Sequence, residues 1–316
     1  MGQALDDELG IYARINARTT KHPGRSAVRS LLDSFNIEGP GDTHQCLVHI
    51  PLFENVWDFL HRNPIRRLPQ LIVCFILQRV LLALDYLHTE CQVIHTDIKA
   101  DNIMFEFSDD SALVDFEQKE LLNPSPRKEI EGRCIYTSRD LMKPKNVGAP
   151  VLCDFGSAVF GGVEHLEDVQ PNIYRAPEVI MEGPWTYSVD IWNVGCMIWD
   201  LFEGRSLFTG QDPELHKYRS RAHLAEMISL LGPPPPHLVA RGQLRHTFFD
   251  ADGAFSVPSI LPERTSLEQR EVILDGEEKA EFMRFVQRML QWEPESRASA
   301  KSLAYDDWIC RHVTWK

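Results

Sequence analysis

The chain has 316 residues, 43% of them hydrophobic and 25% charged, with a formal net charge of −13. That is enough material for a self-supporting core, and the balance is that of a globular protein rather than a disordered or fibrous one. No stretch of 18 or more consecutive apolar residues is present, so a membrane span is not expected, and the acidic balance argues against nucleic acid as the main partner while suiting a basic one.

The seven cysteines, at positions 46, 74, 91, 134, 153, 196 and 310, contain no C-x-x-C pair. This pattern points away from zinc and from a secreted disulfide framework, and towards the cytosol or nucleus. The opening stretch, 1–8, has neither a basic region nor an apolar segment, so it is not expected to be a signal peptide.

In chain order, Leu5, Leu9, Tyr12 and Ile15 recur at helical spacing and predict a helix over 4–17. His22-Pro23-Gly24 then breaks the chain. Apolar runs at 28–37 and 46–52 flank Gly39-Pro40-Gly41-Asp42 and predict a β-hairpin. Residues 69–88 are apolar on nearly every side, as in the buried helix of a large core. Residues 107–148, with Ser108-Asp109-Asp110-Ser111 and Pro124-Ser125-Pro126-Arg127-Lys128, have the texture of a mobile surface insertion. A second apolar helix is predicted over 186–203 with Gly204 as its cap. A third helix starts near Arg221 and ends at the prolines 233–236, and Phe282, Phe285, Val286, Met289 and Leu290 mark an amphipathic one. Helices dominate after residue 69, and sheet material precedes that point or flanks the insertion.

The chemistry is concentrated in short clusters. In His95-Thr96-Asp97-Ile98-Lys99-Ala100-Asp101-Asn102 a carboxylate, a lysine and an amide share one loop behind the buried helix. Phosphoryl transfer needs a group to orient the acceptor hydroxyl, a cation to offset charge and oxygen ligands for a metal. Val151-Leu152-Cys153-Asp154-Phe155-Gly156 brings an acidic residue to the end of an apolar strand, and Tyr174-Arg175-Ala176-Pro177-Glu178, Asp190-Ile191-Trp192-Asn193-Val194-Gly195 and Arg297 follow.

In this order the clusters resemble the signature of eukaryotic protein kinases, and the likeness covers residues 4–310. Leu230-Leu231-Gly232-Pro233-Pro234 and Arg175 before Ala-Pro-Glu resemble the group that holds cyclin-dependent, MAP and SR-protein kinases. Thr96, His22-Pro23-Gly24-Arg25, Leu31-Leu32-Asp33-Ser34-Phe35 and the spacer between Asn102 and Asp154 resemble SR-protein kinases of the fungal type.

The resemblance implies an α+β protein kinase-like fold. Residues 1–52 would form a truncated upper lobe (helix C, two strands and the hinge), and 53–316 a mostly helical lower lobe with the insertion at 107–148. It implies Asp97 as the catalytic base, Lys99 as the neutraliser of the transferred phosphoryl, and Asn102 and Asp154 as Mg²⁺ ligands. Glu8 would pair with the nucleotide-positioning lysine, His49 would be the gatekeeper, Ile50 and Leu52 the hinge, and Met104 the floor under adenine. Asp190, Glu178–Arg297 and His95 would hold the lobe together. ATP would be the co-substrate and Arg/Ser-rich proteins the substrates, with no direct nucleic-acid or membrane partner and a monomeric state.

The departures are specific. Thr96 replaces an arginine that in many kinases grips an activation-loop phosphate, and residues 157–175 hold a single serine, Ser157, and no threonine. Both imply activity that does not wait for phosphorylation. Pro171 stands in place of a threonine hydroxyl near the catalytic pair. No G-x-G-x-x-G is found, and the only lysine in residues 1–50 is Lys21. Two other readings therefore stand beside the active enzyme: a catalytically impaired, kinase-like binding protein, and a gene model that lacks its start.

Overall fold

Glycine, proline and the two periodicities of the sequence set the elements, which a computed structural model describes for residues 2–39, 41–144 and 146–313, with side chains from Glu8 onward. α1 (Gly2–Asn16) is the predicted first helix. It buries Ile11, Tyr12 and Ile15, whereas the Leu5 side chain and Pro40 lie outside the described residues. The tight turn Pro23–Ala27 follows. At Gly24 a side chain has no room, since a Cβ there would lie 1.8 Å from the Leu82 carbonyl oxygen.

β1 (Leu31–Glu38) and β2 (Thr43–His49) form the predicted hairpin, with Phe35 opposite Cys46. No further strand joins them among the described residues. The apolar surface this leaves open is visible on β1, where Leu32, Phe35 and Ile37 are exposed.

Below the hinge come α2 (Val56–His61) and α3 (Gln70–Tyr86), the latter continuing into one wider turn at Leu87–Cys91. That stretch is long and apolar enough to cross a bilayer, with mean hydropathy 1.7, yet 78% of it is buried inside the protein. A stripe hydrophobic all round is what a central core helix requires. β3 (Val93–Ile94) and β4 (Ile103–Phe107) bracket the catalytic loop.

The insertion is more regular than its sequence texture predicts. It forms α4 (Ser111–Leu122) and a hairpin of β5 (Arg127–Ile130) and β6 (Arg133–Tyr136). Ala112, Leu113, Leu121 and Leu122 are good helix formers, and Glu131 and Gly132, both at positive φ (49° and 77°), make the two-residue turn that matches strand twist. Little of it is buried, as expected of a surface insertion, and its helix and hairpin are elements that the sequence reading did not assign.

β7 (Val147–Leu152) pairs antiparallel with β4, Met104 opposite Val151, and β8 (Val159–Phe160) pairs with β3. The rest is helical: α5 (Pro177–Ile180), α6 (Ser188–Glu203), α7 (Ser220–Leu231), α8 (Pro236–Arg241), α9 (Arg245–Phe248), α10 (Leu267–Arg270), α11 (Gly276–Gln287), α12 (Ala300–Ala304) and α13 (Asp307–His312). Gly204 caps α6 at φ 69°, as predicted. α3 packs against α6, α12 and α13. Trp192, Trp199, Trp308, Phe282 and Phe285 are fully buried among these helices, each aromatic contributing about 2–3 kcal/mol through burial. The result is a small upper piece over a large helical lower one, the α+β arrangement expected.

Candidate active site

The loop after β3 is clamped from below by one carboxylate. Asp190, in the first turn of α6, is wholly buried and accepts hydrogen bonds from the His95 N–H (2.9 Å), the Thr96 N–H (2.8 Å) and His88 Nε2 (2.8 Å). Several charge-directed donors are what make a buried carboxylate tolerable. The clamp holds Thr96 at φ 67°, a left-handed conformation that a β-branched residue rarely adopts. The Thr96 hydroxyl donates to the Ser157 carbonyl at 2.8 Å.

His95 Nδ1 accepts from the Asp97 N–H at 3.3 Å, while Nε2 donates to the Cys153 carbonyl at 3.0 Å. The ring is therefore neutral with its proton on Nε2. It links the loop to the residue between the end of β7 and Asp154, the structural role expected of it.

Three of the expected residues meet on one carboxylate oxygen. Asp97 Oδ2 accepts from Lys99 Nζ at 2.7 Å and from Asn102 Nδ2 at 2.8 Å, and the same amide group donates to the Asp97 carbonyl at 2.9 Å. The β4–β7 register then brings in the fourth. Ile103 pairs with Leu152, and the Cys153 N–H donates to the Asn102 carbonyl at 2.8 Å, so Asp154 emerges beside Asn102. Asp154 is at φ 64° with Oδ1 accepting from the Gly156 N–H at 3.3 Å.

With the Asn102 NH₂ spent on Asp97, its amide oxygen is left as a metal donor beside the Asp154 carboxylate. Magnesium is commonly held by one or two protein oxygens together with substrate phosphates, so this donor set fits Mg²⁺.

The upper wall is built by aromatic contact. The ring of His49 lies 5.1 Å from that of Tyr12, Tyr12 meets Phe155 edge-on at 5.2 Å, and Phe155 lies 5.1 Å from His95. This stack ties β2, α1, the Asp154 turn and the catalytic loop together. His49 Nδ1 donates to the Ser30 carbonyl at 2.9 Å, and burial pushes the ring's pKa down.

Glu8 is brought to the Asp154 turn: a Cβ on Gly156 would lie 3.4 Å from Asp154 Oδ1 and 3.9 Å from Glu8 Oε2. Burial first, then the Asp154 charge, push the Glu8 carboxyl up, against the Phe155 N–H and the Arg29 charge. Among the described residues Glu8 has no lysine to pair with, so this part of the expected nucleotide machinery is not assembled. Met104 sits in β4, bridged to Asn55, Leu52 is half-buried, and Ile50 is exposed. A cavity of about 430 Å³ lies behind the hinge, bordered by Ile50, Leu52, Lys21 and Arg25, and contains none of Glu8, His49, Met104 or Asp154.

The sequence profile described as the protein kinase domain matches residues 52–151 and 139–309. A serine/threonine protein kinase of Aspergillus fumigatus is 42% identical over 309 residues, which cover 96% of this chain and 75% of the relative. The chain belongs to the protein kinase family. The serine/threonine-protein kinase SRPK of Physarum polycephalum is 28% identical over 319 residues, covering 95% of this chain and 74% of the relative. The dual specificity protein kinase CLK2 of Homo sapiens is 28% identical over 294 residues, covering 92% and 52%. By family, then, this is a protein serine/threonine kinase, and protein kinases in general use ATP and Mg²⁺.

On the substrate side of this kinase domain, a cavity of about 470 Å³ is bordered by Asp97, Lys99, Ser157, Asp168, Gln170 and Pro171. Gln170, which sequence reasoning did not single out, organises its rim. At φ 74° its side-chain amide donates to the Val189 carbonyl at 2.8 Å, and its amide oxygen accepts from the Ala176 N–H at 2.8 Å. A glutamine inside an acidic loop carries no motif, and its positive φ is invisible before folding. Trp185 Nε1 donates to the Glu167 carbonyl at 2.9 Å, and its ring stacks on His165 at 4.6 Å. The platform beneath is fixed by Glu178 and Arg297, joined by paired contacts of 2.6 and 2.7 Å, a bidentate geometry.

Proposed function

We propose that this chain transfers the γ-phosphate of ATP to serine hydroxyls of basic, Arg/Ser-rich proteins. The observation that carries the reading is the convergence of Lys99 and Asn102 on Asp97 Oδ2, with Asp154 delivered beside Asn102. Asp97 would orient the acceptor hydroxyl and take its proton, and Lys99 would offset charge on the transferred group. Asn102 and Asp154 would hold Mg²⁺, whose part is to neutralise the phosphate oxygens.

The basic substrate is supported by Asp168, which borders the cavity next to Asp97 and is 71% exposed on its side chain, and by the exposed Glu164 and Glu167 nearby. Arg175 lies 3.2 Å from Asp168 and offsets part of that charge. The relatives named SRPK and CLK2 support the same assignment by kinship. Seven unpaired cysteines favour the cytosol or nucleus as its place.

Independence from phosphorylation is supported by the contacts of Thr96, Gln170 and Trp185, which order the segment from within. Phosphatase treatment of the full-length chain should leave its rate unchanged; a collapse of the rate would sink that part.

The decisive experiment is Asp97→Asn. With an Arg/Ser peptide, Mg²⁺ and ATP, kcat should fall by about 10²–10⁴-fold, the usual worth of a positioned base. Unchanged turnover would remove Asp97 from this role. The second reading, a binding module with weak or no catalysis, is favoured by Glu8 having no lysine partner among the described residues and by Pro171 in place of a hydroxyl. It predicts no turnover from the unmodified chain and an undiminished grip on the peptide.

A further inference from the structure

The insertion carries a serine that the catalytic site does not use. Ser125 lies in Asn123-Pro124-Ser125-Pro126, the segment without regular structure between α4 and β5. Ser125-Pro126 is the one Ser-Pro step in the chain, and no Thr-Pro occurs. Arg127 and Lys128 follow it, and Asn123, Pro124, Pro126, Arg127 and Lys128 are all exposed. Each proline fixes its own φ and turns the residue before it away from helical geometry. The segment is therefore held extended at the surface, the form in which a peptide can be laid across the active site of another enzyme.

One carboxylate fastens this serine. The Ser125 N–H donates to Glu120 Oε1 at 2.6 Å, and the Ser125 hydroxyl donates to Glu120 Oε2 at 2.7 Å. Arg139 Nε lies 3.2 Å from the same Oε2, and the Arg139 guanidinium also donates to the Asn123 carbonyl. The β5–β6 pairing brings Arg139 there. Arg127 faces Tyr136, and the Thr137 N–H continues the ladder to the Pro126 carbonyl at 2.8 Å. Glu120 stands in the last turn of α4, the helix end where negative charge is unfavourable. Its two donors from Ser125 and the Arg139 charge are what offset that cost.

We propose that Ser125 is a phosphorylation site for a separate, proline-directed serine/threonine kinase, and that the phosphate opens the contact with Glu120. The acting enzyme is one whose pocket accepts proline directly after the serine and whose acidic groups suit Arg127 and Lys128. In the step the Ser125 oxygen bonds to the γ-phosphorus of ATP as the bond to the bridging oxygen breaks. ADP leaves, and the hydroxyl proton passes to the base of the acting enzyme. The product has lost the donor that held Glu120, and a group of about −1.5 to −2 charge stands in its place. Beside a carboxylate and at a helix C-terminus such a group disrupts by repulsion. Arg139 is drawn to the phosphate, its stronger partner, and α4 is released from the 123–126 segment. Asn102 and Asp154 are held by the β4–β7 pairing beneath the insertion. Turnover therefore stays as it is, in keeping with the independence from phosphorylation proposed above.

The test uses the full chain, Mg·ATP and a purified proline-directed kinase that phosphorylates a free peptide of residues 119–130. Mass spectrometry should place one phosphate on Ser125, and Pro126→Ala and Ser125→Ala should each lower incorporation more than tenfold. Without the added enzyme no phosphate should appear there. Hydrogen exchange should then show the Ser125 amide of the phosphorylated chain exchanging about tenfold faster, the loss of one charge-assisted hydrogen bond. Glu120→Gln should exchange fast beforehand and change no further on phosphorylation.

A chain that stays unmodified under conditions where the free peptide is phosphorylated would overturn the site. Phosphate on Ser125 without the added enzyme would overturn its assignment to a separate kinase. Phosphorylation that leaves exchange unchanged, or that alters Glu120→Gln as much as the unmodified chain, would overturn the opening of the Glu120 contact.

Discussion

Glu178 and Arg297 meet with 1% and 0% of their side chains exposed, whereas Leu32, Phe35 and Ile37 on β1 stand 58%, 50% and 49% exposed. The two regions invert the usual rule: the most polar pair is sealed in, and a row of apolar side chains faces water. Below, Asp190, Glu178 and Arg297 each have partners at hydrogen-bonding distance, and α3, α6 and α11 surround them with fully buried aromatics. Above, β1 of the two-stranded hairpin is exposed along nearly its whole length while β2 is half-buried, and a two-stranded hairpin is marginal by itself in water. The difference teaches where the rigidity needed for phosphoryl transfer comes from. It is supplied by the lower helices through the catalytic loop, and owes little to the strands overhead.

The contrast can be broken most forcefully at the platform. Glu178→Ala would leave Arg297 charged and unpaired in the interior and should cost about 3–5 kcal/mol, read as a lower urea midpoint at unchanged slope. A loss under about 1 kcal/mol would show that the pair is a passenger.

His223, wholly buried on α7, sharpens the comparison through pH. Burial, and then the Arg175 charge, push its pKa down to about 3. The unfolded chain takes up a proton near pH 6.5 while the folded one does not. Stability contributed by the neutral ring is therefore complete above pH 6.5 and is lost as the pH falls below it, by about 2 kcal/mol between pH 7 and 5. Denaturation curves of His223→Gln should lose that slope, and an unchanged slope would refute the assignment.

The smallest effect belongs to the hairpin. Phe35→Ser should shift stability by less than about 0.5 kcal/mol and raise solubility; a loss of 2 kcal/mol would mean that β1 is packed far more firmly than its exposure shows.

How much of this was legible beforehand follows the same division. That Asp97, Lys99, Asn102 and Asp154 would gather in one place was readable because they lie at short spacings in a loop and at a strand end that allow few placements. The helices at 69–88 and 186–203 were readable because continuous apolar character has few uses in a large chain. The insertion was read only as a mobile surface segment, and its helix and hairpin were missed: Ser, Asp and Pro at its ends masked the helix formers between them, and the Glu131-Gly132 turn lacks the Asn or Asp that usually advertises it. Gln170 was missed for another reason. Its role depends on a single positive φ, which leaves no periodic trace.

The tight turn after α1 governs how the cleft can breathe. Gly24 rests on the Leu82 carbonyl with no space for a methyl group, Tyr86 Oη donates to the Ile15 carbonyl at 3.0 Å, and His22 holds Asp85 at 3.0 Å. α1 is therefore moored to α3 and travels with it as one body. A swing of this helix, a common means of switching related enzymes on and off, would have to tear all three attachments at once.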